Sequence, residues 1–157
     1  MVTLHIEDSE TRVGSQRGNE PPDTIVLAIG YAAQGHLSFR HDPPTPLELE
    51  NAVAVVEDAV MALSKHLPLP SELTGTGPTL EAIAAAAGKV GQGSVRIALD
   101  EIERLFQQLA AVSEGRPVAS GGVPPGAAYA ATLVILREFM HHLGFDSITM
   151  EAGVTPT

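Results

Sequence analysis

Cysteine and tryptophan are both missing from this 157-residue chain. Without cysteine there can be no disulfide, no thiolate nucleophile and no Cys-ligated zinc or iron–sulfur centre. Aromatic residues make up only 4% of the sequence, so any core must be built from aliphatic side chains, and at 44% hydrophobic the supply is ample. Basic residues are scarce as well: 9 against 19 acidic, for a net charge of −10. That balance opposes broad binding to nucleic acid or to an anionic membrane. Long apolar runs are also lacking. The longest unbroken apolar-plus-Thr stretch, Ala127 to Leu136, falls far short of the roughly 18–20 residues that a membrane span needs. The first residues show neither the basic start nor the apolar segment of a secretory signal. The expectation is one cytoplasmic α/β domain over residues 1–157.

What is present changes character near residue 45. Before it lie short β-like runs. Val2 to Ile6 alternates apolar and polar, Thr24 to Ile29 is compact and partly β-branched, and His36 to Arg40 is a further short candidate. Between the first two, residues 7–23 are polar and end in Pro21-Pro22, which predicts a loop. After residue 45 the pattern is mostly helical. Thr45-Pro46-Leu47-Glu48 is a capping box with proline at the first helical position, and Leu49, Val53, Val56, Val60, Leu63 and Leu67 follow at helical spacing up to Pro68. Further helices are predicted from Pro78 to Gly88, from about Asp100 through Leu109, and from about Pro125 to Leu143, stopped by Gly144. Gly115 to Pro125 reads as a loop, and Ser147 to Met150 as a closing strand.

Few motifs carry chemistry. Gly75-Thr76-Gly77-Pro78-Thr79 precedes a helix, where small residues let backbone N–H groups approach an anion. Gly75, Thr76, Gly77 and Thr79 are therefore the candidate phosphate-binding residues, although Pro78 removes one donor and a tight turn needs glycine for its dihedrals alone. Gly88-Lys89-Val90 lacks the Ser or Thr of a Walker loop. Gly91-Gln92-Gly93-Ser94-Val95-Arg96 lacks the third glycine of a dinucleotide fingerprint, so both read as loops. His36, His41 and Asp42 are close in sequence and His141-His142 are adjacent, but no His-x-x-x-His pair exists, so no metal site is predicted. No Gly-x-Ser-x-Gly surrounds any serine, and no catalytic residue is assigned. Glu7, Asp8 and Glu10 are an acidic run that could hold Mg²⁺, or simply a solvated loop.

Arg40-His41-Asp42-Pro43-Pro44-Thr45-Pro46-Leu47-Glu48 resembles the His-Asp-Pro-Pro-Thr-x-x-Glu junction of the exopolyphosphatase/guanosine pentaphosphatase (Ppx/GppA) family. In order along the chain, Gly75 to Leu80 is similar to that family's Gly-Thr-Gly-Gly-Thr loop. Ile97 to Val112 resembles a helix of the family, as does the stretch from Val123 to Gly144, and Ser147 to Met150 resembles its terminal strand. The likeness runs over about residues 23–153 and matches only the second lobe of a two-lobed fold. It implies a ribonuclease-H-like, actin-like ATPase lobe: a mixed sheet with helices packed on it, with three leading strands, then helix, strand, three helices and a strand.

Departures from the family's pattern bear on function. The family's second phosphate loop has the form Asp-x-Gly-Gly-Gly-Ser/Thr, whereas the corresponding stretch here is His5-Ile6-Glu7-Asp8-Ser9-Glu10-Thr11. Gly77-Pro78 stands for Gly-Gly, and Glu151-Ala152-Gly153 replaces a Gly-Leu-Arg-Glu-Gly turn. The resemblance therefore implies a catalytically degenerate lobe that serves as a binding or assembly module, with no cofactor. The alternative is a small phosphohydrolase acting on polyphosphate or nucleotide phosphates with Mg²⁺. A phosphate or other small anion is the expected ligand. A homodimer is also expected, because Ala127 to Leu136 leaves its helix without a polar face.

Overall fold

The computed structural model describes residues 1–32, 39–89, 93–116, 124 and 126–151. Strand β1 (Val2–Ile6) turns back into β2 (Thr11–Ser15) and then β3 (Asp23–Leu27), each pair antiparallel. Helix α1 (Pro46–Met61) crosses to β4 (Leu73–Thr76), which lies parallel to β1 on its other side. Then follow α2 (Pro78–Ala86), β5 (Val95–Ala98), α3 (Leu99–Ser113), α4 (Ala127–Leu143) and β6 (Ser147–Met150). The six strands form one mixed sheet in the order β3-β2-β1-β4-β6-β5, with β4 and β6 parallel and β5 and β6 antiparallel.

Alternation along each strand sorts the two faces. Val2, Leu4 and Ile6 of β1, Thr11 and Val13 of β2, Leu73 of β4, Ile97 of β5 and Ile148 and Met150 of β6 are buried on one face. The cross-strand register keeps them in line, pairing Leu4 with Val13 and with Gly75, and Ile97 with Ile148. The opposite face carries a row that crosses all six strands: Thr24, Gly14, Thr3, Thr74, Thr149 and Arg96. Thr3, Thr24 and Arg96 in that row are exposed.

The helices are built around α4, whose residues from Ala130 to Leu136 are each no more than 1% exposed. Its own chain covers it on every side, with α1, α2 and α3 all packed against it. The apolar surface from which a homodimer is expected lies in the same buried core as Leu49, Val56, Val60, Ile102 and Leu105, so a second copy is not needed to cover it.

Helix α1 starts where the sequence places it. Thr45 Oγ1 accepts from the Glu48 N–H at 3.2 Å, and Glu48 Oε1 accepts from the Thr45 N–H at 2.9 Å. Glu48 also accepts from the Arg40 backbone N–H and lies 2.9 Å from His41 Nδ1. Asp42 Oδ1 in turn accepts from the N–H of Gly126, the cap of α4, at 3.2 Å. The His-Asp-Pro-Pro-Thr-x-x-Glu segment is thus a clasp joining the starts of α1 and α4.

Several expectations need correction. Residues 7–23 are not one loop, since Thr11–Ser15 is strand β2. Its single large apolar residue, Val13, hides the alternation, and Thr11 is buried by donating its hydroxyl to the Ile29 carbonyl at 2.8 Å. Val95 and Arg96 belong to strand β5 and not to a loop. Helix α1 ends at Met61, and Leu63 and Leu67 reach the core from the turns beyond it. Helix α3 starts one residue before Asp100 and is capped through Glu101, whose Oε2 accepts from the Ala98 N–H at 2.9 Å. The strand expected at His36–Arg40 lies mostly outside the described residues, and neither Phe39 nor Arg40 is in a strand.

Two measurements probe this framework. Ala131→Glu puts an unpaired carboxylate into the driest part of α4, a cost of several kcal/mol, about the whole stability of a domain. Loss of the cooperative unfolding transition in circular dichroism is expected at every protein concentration; a normally folded variant would show that α4 is not enclosed. Glu48 is pushed up by partial burial, but hydrogen bonds from Thr45, Arg40 and His41 outweigh this and hold its pKa at about 2 against an ordinary 4.5. A depressed carboxylate stabilises the fold above its unfolded pKa and loses that contribution as pH falls toward its folded value. Glu48→Gln is therefore expected to cost about 1–2 kcal/mol at neutral pH, a deficit that shrinks from about pH 4.5 down to about 2. Urea melts of both proteins across that window check it, and a constant deficit contradicts it.

Candidate functional site

In an open sheet with parallel strands, ligands bind beyond the carboxyl ends of those strands. Here those ends bring together the β1–β2 turn, the end of β4 and the start of α2. All four sequence-predicted residues lie in this region, and each has structural work of its own.

Gly75 is inside β4, and a Cβ there would meet Ile148 Cδ1 at 2.7 Å and Leu80 Cδ1 and Met150 Sδ at 2.9 Å. Its missing side chain lets α2 close onto the sheet. Gly77 caps α2 at φ 110° and ψ 158°, a region that is essentially glycine-only. Both glycines of the motif are thus accounted for by packing and by backbone dihedrals. Thr76 Oγ1 is 3.1 Å from His5 Nδ1, and the Thr76 carbonyl lies 3.2 Å from the same nitrogen. Thr79 Oγ1 donates to the Ile6 carbonyl at 3.4 Å. The two hydroxyls expected to face an anion are engaged within the chain.

His5 opens the stretch that corresponds to the family's second phosphate loop, but its contacts with Thr76 and Gly77 are not part of the sequence reading. Its ring lies against Gly77, where an added Cβ would stand 3.0 Å from Cε1, and its Nε2 is 3.5 Å from Glu7 Oε1. Arg12 then bridges the carboxylates of the turn, with Nε 3.4 Å from Glu7 and Nη2 2.8 Å from Glu10. Register sets its place: position 5 of β1 pairs with Arg12 and with Thr76 in the adjacent strands, and so occupies the polar face beside the turn.

The β1–β2 turn is closed from within. The Glu7 N–H donates to the Glu10 carbonyl at 2.8 Å, and the Ser9 N–H donates to the Asp8 carboxylate at 2.8 Å. The following chain lies tightly across it: the Tyr31 and Ala32 N–H groups donate to the Glu7 and Asp8 carbonyls, and a Cβ on Gly30 would stand 2.4 Å from the Asp8 carbonyl oxygen. The amide that could hold an anion here holds the protein's own carboxylate. Glu7, Asp8 and Glu10 do not converge into a ligand set among the described residues.

A second polar cluster, absent from the sequence motifs, lies where α4 meets α1 and α3. Glu138 is 2% exposed; its Oε1 accepts from Arg137 Nη1 at 2.7 Å and its Oε2 lies 2.8 Å from His142 Nε2. Arg137 reaches Glu103 at 2.7 Å and sits 4.1 Å above the ring of Phe106. The i, i+4 spacing of Glu138 and His142 is legible in the sequence, although it is not a His-x-x-x-His pair.

The architecture and this geometry can be compared with known proteins. No family model matches the chain, and no curated protein does. Solved structures do: a PPX-GPPA enzyme of Aquifex aeolicus aligns at 19% identity with a TM-score of 0.71, covering 96% of this chain and 52% of that one. An exopolyphosphatase from Cytophaga hutchinsonii aligns at 13% identity with a TM-score of 0.68, over 96% and 52%. The chain has the fold of one Ppx/GppA lobe. It spans about half the length of the solved structures it matches, and its mixed six-stranded sheet under four helices is the actin-like ATPase, ribonuclease-H-like architecture. Among the described residues no helix is long and apolar enough to cross a membrane.

Gly77→Ala is expected to destabilise by about 1–3 kcal/mol through its dihedral. Adding His5→Ala removes the ring from the path of the new Cβ but leaves the dihedral strained, so most of the loss remains in the double variant. Chemical denaturation of the single and double variants decides. Full recovery on removing His5 would show that the steric contact sets the cost.

Proposed function

We propose that this Ppx/GppA-like lobe is catalytically inactive and serves as a binding or assembly module. One observation carries this: the turn between β1 and β2 supplies carboxylates where phosphate binding needs free amides. Glu7, Asp8 and Glu10 occupy it, and the Ser9 N–H is spent on Asp8. At about 4 Å and an effective dielectric near 20, one carboxylate–phosphate charge pair repels by about 4 kcal/mol. Arg12 offsets part of that, yet it is already shared between Glu7 and Glu10. A phosphate or other small anion at Gly75, Thr76, Gly77 and Thr79 is accordingly expected to bind weakly.

The module reading draws on the sheet. Parallel strands are ordinarily covered on both faces. Here β1, β4 and β6 bury one face, while the row through Thr3, Thr74 and Thr149 on the other is exposed or half-exposed. A hydroxyl-rich surface of this kind suits a partner that brings hydrogen-bonding groups more than one that brings an apolar patch.

The competing activity is phosphoanhydride hydrolysis with Mg²⁺ held by Glu7 and Asp8, favoured by the likeness to exopolyphosphatase structures. Phosphate release from polyphosphate, guanosine pentaphosphate and ATP, with and without Mg²⁺, separates the two. No release above the blank is expected. Release that disappears in Asp8→Ala would replace the inactive lobe with an enzyme.

A further inference from the structure

Away from the strand ends, one group of chemically different ligating side chains converges among the described residues. Glu57 of α1 and Glu138 and His142 of α4 each offer one ligand atom, and these atoms all lie within 4.8 Å of one another. We propose that these three side chains bind a divalent transition-metal cation of the zinc type.

The helices bring two ligands together by spacing alone. Residues i and i+4 stand one above the other on a helix face, so Glu138 and His142 point to the same seam, and α1 brings Glu57 to it. With metal–ligand bonds near 2.1 Å, neighbouring donors of a tetrahedral site lie about 3.4 Å apart. His142 Nε2 is 2.8 Å from Glu138 Oε2 and 3.9 Å from Glu57 Oε1, distances that bracket this value. Small side-chain adjustments suffice. An imidazole with two carboxylates suits zinc, whereas magnesium and calcium favour all-oxygen sets. The Glu138 side chain is only 3% exposed and that of Glu57 is 47% exposed, so the seam opens to water at Glu57. A solvent molecule can complete the fourth position from that side.

The surroundings support the site in two ways. The second oxygen of Glu138 is held by Arg137, which is itself fixed by Glu103 and Phe106. Such outer partners orient a ligating carboxylate. Charge also balances: Arg137 and Glu103 cancel, leaving two carboxylates around a neutral imidazole, which one divalent cation neutralises. Without a metal, His142 pairs closely with Glu138 at 2.8 Å and reaches Glu57 only at the outer limit of an ion pair, 3.9 Å; a cation between the three would draw all of them to bonding distance.

The test uses the full chain with Zn²⁺ alone in calorimetric titration, and Co²⁺ as a spectroscopic substitute. One metal ion per chain with micromolar affinity, a raised Tm and the visible absorption of tetrahedral Co²⁺ are expected. Glu57→Gln alters a half-exposed residue and leaves the core intact; it is expected to weaken Zn²⁺ binding by about 10-fold or more. His142→Gln is expected to remove binding, and His66→Gln, an exposed histidine elsewhere, to leave it unchanged. Absence of heat and of a Tm shift at about 100 μM Zn²⁺ overturns the proposal. So does binding that survives either Glu57→Gln or His142→Gln undiminished.

Discussion

Everything in this fold follows from the need to keep α4 dry on every side. A helix whose residues from Ala130 to Leu136 are all apolar or neutral cannot present a face to water. One sheet covers one side of it, and α1, α2 and α3 must supply the rest. This sets which face of the sheet is buried: the positions on the core side are mostly Val, Leu and Ile, with Thr11, Gly75 and Met150 among them, and the alternate positions are left largely to threonine, arginine and histidine. It also explains the Glu138 cluster. A carboxylate on such a helix is buried whether or not that is convenient, and Arg137 and His142 on its two oxygens make the burial tolerable.

Features held by local chemistry were legible in the sequence, and features held by distant contacts were not. The start of α1 could be read because a capping box is a four-residue signal, and the end of α4 because Gly144 adopts the left-handed cap that glycine favours. Strand β2 could not, because Thr-Arg-Val-Gly-Ser has only one large apolar residue, and Thr11 is inside only through its bond to Ile29. Strand β5 runs directly into α3, with no glycine or proline to mark the change of period. Helix α1 was read too long for the opposite reason: Leu63 and Leu67 fit the helical stripe, yet turns deliver them to the same core.

The candidate site shows the same division. Glycines at 75 and 77 draw the eye to an anion-binding loop, but glycine also answers to close packing and to positive φ. At Gly75 the side chains of Ile148, Leu80 and Met150 claim the space, and at Gly77 the dihedral does. Sequence spacing cannot separate these uses, because each produces the same letter. The contact His5 makes is unreadable for another reason: it depends on the register that sets His5 beside Thr76, more than seventy residues away.

The strand-end region and the core are energetically separate, and this bears most on function. His5, Glu7, Glu10 and Arg12 form one chain of contacts that reaches the Thr76 end of β4 through His5, and none belongs to the cluster around α4. Surface ion pairs of that kind each contribute little, about 0–1 kcal/mol. The fold therefore places almost no demand on the chemistry of the β1–β2 turn. Carboxylates can occupy it at small cost because the sheet register, the Gly75 contact and the clasp at Glu48 hold the lobe in shape without it. A scaffold of this construction keeps its surfaces, including the threonine row on the uncovered sheet face, whether or not the strand ends retain any affinity for phosphate.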